Sequence, residues 1–125
     1  MALNAFDIVR DCVRDLAGDT QWVRKALLAG DEWIANVVSY SGATEFAFDC
    51  RADGDGLTLA FRDDGIPFDP TLQRDAEPDF DDLDQGGMGI DLIRQTARRM
   101  HYERADNRNV LTLRFSLDTG RSAGQ

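Results

Sequence analysis

The sequence predicts an α+β fold: a two-layer sandwich with about three helices on one face of a mainly antiparallel sheet. Three observations lead there. Apolar residues recur every three or four positions in three segments, and every second position in four others. Turn-forming residues join those four in pairs, which is how hairpins are built. At 125 residues there is room for one hydrophobic core. Residues 1–118 are therefore read as one domain, and 119–125 as a frayed tail.

The first helix runs from about Ala5 to Ala17, with Phe6, Val9, Val13 and Leu16 on one side and Gly18 as its stop. A second helix starts near Asp19 or Thr20 and reaches about Tyr40. Val23, Leu27, Gly30, Ile34 and Val37 form its buried stripe, and Ser41-Gly42 ends it. Gly30 costs that helix about 1 kcal/mol relative to alanine, which points to close packing or a kink there. The period then changes to two. Phe46, Phe48, Cys50 and Ala52 alternate with Glu45, Asp49 and Arg51, and Asp53-Gly54-Asp55-Gly56 turns the chain into a partner with Leu57, Leu59 and Phe61 inward.

From Asp64 to Gly86 no period is visible. This stretch holds all three prolines and one base, Arg74, against eight carboxylates. So long a loop within a compact domain points to a functional lid or an insert. Beyond it Ile90, Ile93, Ala97 and Met100 form a third helical stripe. A hairpin closes the chain: Met100–Arg104, a turn at Asp106-Asn107-Arg108-Asn109, and Val110–Leu117 with Leu111, Leu113, Phe115 and Leu117 inward.

Twenty-three acidic residues against 14 Lys and Arg give a net charge of −9, which argues against nucleic acid as a direct partner. No apolar run approaches membrane-spanning length and no signal-peptide pattern opens the chain, so a cytoplasmic protein is expected. Cys12 and Cys50 lack metal-ligand spacing and read as two small buried thiols. With one histidine, a His-based zinc site is not expected.

Three places could carry chemistry. Asp63 shares parity with Leu57, Leu59 and Phe61, so it falls at the strand end on the covered face. It is either a fixed acceptor for a ligand N–H, with Gly65 keeping the backbone clear, or a turn residue facing water. Glu32 and Asn36 lie one turn apart on a helix ridge with Tyr40 next along it, opposite the Ile34/Val37 stripe. They are either a solvated face or a base and a hard-cation ligand. Gly86, Gly87 and Gly89, around Met88, stand at a helix start, where free N–H groups and the macrodipole attract anions. A hinge explains them equally well. With eight carboxylates nearby, a nucleotide would need magnesium.

"DEWIANVVSYSGA" (31–43), "FRDDGIPFDP" (61–70) and "GGMGIDLIRQ" (86–95) occur in that order, with a long loop between the last two. This resembles the GHKL ATPase superfamily of Bergerat fold, and within it the anti-sigma-factor serine/threonine kinases, across about Leu27 to Phe115. The resemblance implies that Glu32 is the general base or orients the attacking group, and that Asn36 holds magnesium. It implies that Asp63 accepts from the adenine amino group with Gly65 beside it. Gly86, Gly87, Met88 and Gly89 would close a lid, residues 64–86, over the phosphates of ATP. Tyr40 stands where many members have histidine. Asp84 and Gln85 leave no basic residue next to the glycines, so Arg74 and the glycine amides remain to meet the phosphates.

The implied function is an ATP- and Mg2+-dependent protein serine/threonine kinase that is also an anti-sigma factor. It would phosphorylate a STAS-type anti-anti-sigma partner, sequester a sigma factor, and resemble its relatives in forming a possible homodimer in a bacterial cytoplasm. The alternative is a nucleotide-dependent binding protein with weak or no kinase activity. A sensor histidine kinase is not expected, since no histidine-bearing helix pair precedes residue 31.

Overall fold

A computed structural model describes residues 2–54, 56–72 and 88–116. Helices α1 (Ala2–Ala17) and α2 (Gln21–Asn36) are followed by a π-helical turn, Val37–Ser41. Strands β1 (Phe46–Asp53) and β2 (Gly56–Asp63), helix α3 (Met88–Thr96), and strands β3 (Arg99–Ala105) and β4 (Arg108–Ser116) complete the order. The strands form an antiparallel sheet in the order β1-β2-β4-β3, and the helices pack on its inner face. This is the α+β sandwich that the periodicities predict.

Local chemistry explains most boundaries. Thr20 caps α2 by accepting from the Val23 amide at 3.3 Å, and Gly18 takes the left-handed φ of 85° between the two helices. At the other end α2 widens into the π turn, where Ser41 Oγ donates to the Val37 carbonyl at 2.7 Å and Gly42 stops the helix at φ 71°. Gly54 supplies positive φ in the first hairpin. In the second, Asp106 and Asn107 both do, at 55° and 62°, which matches the twist of the flanking strands.

The core joins Val9 and Val13 of α1, Val23, Leu27, Trp33 and Ile34 of α2, Ile93 of α3, and the inward residues of the central strands β2 and β4. Three expectations need correction. In α1 the buried row is Ala5, Val9 and Val13, at steps of four, while Leu16 faces outward. Met100 does not continue the α3 stripe. The helix stops at Thr96, and Arg98 donates to the Arg114 carbonyl at 2.7 Å to begin pairing β3 with β4. Asn109 is not in the turn: it lies two residues into β4 and is only 2% exposed.

Gly30 marks a close approach of α2 to the sheet. A β-carbon there would lie 3.5 Å from Phe61 Cζ, 3.7 Å from Val9 Cγ1 and 3.9 Å from Leu59 Cδ1, all ordinary contacts. Gly30→Ala is therefore expected to stabilise the protein by about 0.5–1 kcal/mol through helix propensity. A urea midpoint that falls instead would show that the packing has no room for the methyl group.

Candidate functional site

The covered face of the sheet is apolar except at one end, where Asp63 of β2 and Asn109 of β4 stand directly opposite each other. Two buried polar side chains on neighbouring strands must satisfy each other or something else. Asn109 Nδ2 donates to Asp63 Oδ1 at 3.1 Å and to the Ile66 carbonyl at 2.8 Å. Its Oδ1 accepts from the Phe68 amide at 3.3 Å and from the Tyr102 hydroxyl. The amide orientation follows from these partners, acceptors on one side and donors on the other. Asp63 Oδ1 also takes the Gly65 amide at 2.9 Å. No described residue donates to Asp63 Oδ2, and Asp63 lines the cleft beside it.

The chain leaving β2 is fastened residue by residue. Asp64 accepts from the Thr44 amide and hydroxyl, each at 2.7 Å, and from the Glu45 amide at 2.9 Å. Those bonds, the Glu45 amide first, hold its carboxyl down at about 2. The folded value lies below the ordinary one, so this tie is complete above the usual carboxylate range and is lost as pH falls towards 2. Gly65 sits against the π turn: a β-carbon would come within 2.5 Å of Ser41 Cβ and 2.8 Å of the Ser41 carbonyl, so only glycine fits. That same carbonyl accepts from the Ile66 amide at 3.0 Å, and Arg104 donates to the Gly65 carbonyl at 2.8 Å. Farther on, Arg94 of α3 donates to the Pro70 carbonyl at 3.1 and 2.6 Å and to that of Leu72.

Between this segment and the helices lies a cleft of about 530 Å³, within the range typical of small-molecule sites. Asn36 and Tyr40 line it from the α2 side, Asp63 and Asn109 from the sheet, and Ile90 and Arg94 from α3. One wall is aromatic: Trp33 and Phe68 stack at 6.2 Å between centroids and 19° between planes. Trp33 Nε1 is sealed from solvent without a hydrogen-bond partner in this wall. No hydrogen bond to a described residue occupies the Asn36 amide, so its oxygen is available to a hard cation.

The structure thus brings Asn36 and Asp63, chosen from sequence, into one cleft, with Gly65 in the turn beneath Asp63. Glu32 lies one helical turn before Asn36, part-buried, and does not line the cleft. Next to it, burial first and the Glu32 charge second raise the Asp31 carboxyl above its ordinary value. Gly86 and Gly87 lie outside the described residues, as does Arg74. Met88 and Gly89 form the first turn of α3, so the helix starts at Met88. Asn109, Arg94 and Ser41 are the site residues that sequence reasoning missed. Only the first left a signal: its parity with Leu111, Leu113 and Phe115 continues their inward row.

A family model described as "Histidine kinase-like ATPase domain" matches residues 3–115. Among solved structures the chain is similar to the Acinetobacter baumannii histidine kinase AdeS, with a TM-score of 0.51 and 16% identity. The match covers 78% of this chain and 48% of that one, so the chain spans about half its length. At that identity the likeness speaks for the fold. No curated protein sequence matches the chain.

Proposed function

The chain belongs to the histidine kinase-like ATPase domain family of the GHKL superfamily, and from that premise we propose that the cleft binds ATP with magnesium for transfer of its terminal phosphoryl group to a protein serine or threonine. The observation that carries this reading is Asp63. The residue is 3% exposed where it lines the cleft, one carboxylate oxygen is fixed by Gly65 and Asn109, and no described residue donates to the other, which is left to a ligand amino group. The Trp33 and Phe68 wall and Ile90 supply apolar surface for a base. Asn36 is the residue here that would hold magnesium, which offsets phosphate charge when bound.

Glu32 would accept the proton of the attacking hydroxyl as its oxygen bonds to phosphorus and ADP departs. The substrate hydroxyl would come from a STAS-type anti-anti-sigma protein. In its phosphorylated state that partner would release this chain to hold a sigma factor. These partners rest on the resemblance of "FRDDGIPFDP" and "GGMGIDLIRQ" to the anti-sigma kinases.

One observation favours a second reading. Glu32 stands outside the residues that line the cleft, as it would in a nucleotide-dependent binding protein without phosphotransfer. Incubation with γ-labelled ATP and a purified STAS-domain protein separates the two. Label on a serine or threonine of that protein, lost by at least about 100-fold with Glu32→Gln while ATP still binds, supports the kinase. Binding without any transfer supports the second reading. Transfer unchanged by Glu32→Gln removes the assigned base.

A further inference from the structure

Cys12 and Cys50 lie 38 positions apart in sequence, one on α1 and the other on β1, at the edge of the sheet. Nothing in the nucleotide cleft uses them. Yet their sulfur atoms are 2.9 Å apart, about 1 Å beyond the roughly 2.0 Å of a disulfide bond. Both residues are part-buried rather than enclosed in the core. Two structural thiols that merely fill space do not require that their sulfurs face each other across an interface.

We propose that Cys12 and Cys50 are a reversible dithiol–disulfide site, which a peroxide oxidises to a bond stapling α1 to the sheet edge. The chemistry balances in two steps. One of the two sulfurs attacks one peroxide oxygen, the O–O bond breaks, and a sulfenic acid forms with release of one water. The other sulfur then attacks the oxidised one, the S–O bond breaks, and a second water leaves with the proton of the attacking thiol. Two thiols lose two electrons and hydrogen peroxide becomes two waters. A small dithiol reverses the bond by exchange and is itself oxidised.

The Cys12 sulfur is part of the environment of Cys50. Burial first, then the hydrogen bond and charge of Cys12, then Asp49, push its thiol up to about 12. Because α1 also packs on α2, the staple would tie together the layer behind the cleft.

The test uses the full chain at neutral pH with hydrogen peroxide, followed by intact mass measurement and N-ethylmaleimide labelling. The expected product is a monomer lighter by two hydrogens and closed to the maleimide, with its melting temperature raised by roughly 10 °C. Dithiothreitol should reverse all three changes, and Cys12→Ser and Cys50→Ser should each abolish them. Addition of oxygen with no loss of hydrogens, both thiols still open to the maleimide, or disulfide-linked dimers would each overturn the proposal. The mass measurement on the unmodified sequence decides the matter even if a serine variant fails to fold.

Discussion

Asp63→Asn is expected to weaken adenine nucleotide binding by about 10- to 100-fold while inorganic triphosphate binds as before. The size follows from loss of a hydrogen bond to a charged acceptor, about 1.5–3 kcal/mol. The new side chain can keep its oxygen on the Gly65 amide and the Asn109 amide group, where Oδ1 now sits. Its NH2 then replaces the open oxygen and presents a donor to a ligand amino group. Calorimetry with Mg-ATP and with magnesium triphosphate measures both arms. Equal loss in the two would mean that Asp63 supports the phosphates or the fold rather than the base.

Asn109→Leu should cost about 2–4 kcal/mol of stability, because buried partners are left unsatisfied. The side chain holds Asp63, Ile66, Phe68 and Tyr102 at once. Removing it frees the segment that forms the cleft wall, so nucleotide affinity should fall with stability. Urea unfolding gives the first quantity and calorimetry the second. A variant with unchanged midpoint and affinity would show that the network is incidental to both.

Much of this was legible because the signals are local. The α2 stripe, the Thr20 cap and both hairpins depend on residues within one or two turns of each other, and period or turn chemistry reports them directly. Asp63 could be placed by parity alone, and Asn36 by its position in the ordered motifs. The misses share a different cause. Asn109 is a turn former by composition, and only pairing with Asp63 across two strands shows it as a buried hub. Arg94 looks like a surface cation on a short helix until the Pro70 and Leu72 carbonyls are brought to it. Residues 64–72 carry no period because side-chain to backbone bonds hold them, not a ladder.

The Asp63–Asn109 pair spans 46 positions of sequence. Helices and the first hairpin are short-range structures, whereas β2 meeting β4 is a high-contact-order event whose loop entropy must be overcome first. A chain stalled before that event has Asp63 and the Gly65 amide but not the Asn109 amide that also orients the carboxylate. Any ligand held on this carboxylate therefore selects the completed sheet and, by mass action, draws partly folded chains towards it. Nucleotide concentration would then set how much of this protein is folded as well as how much of it is occupied.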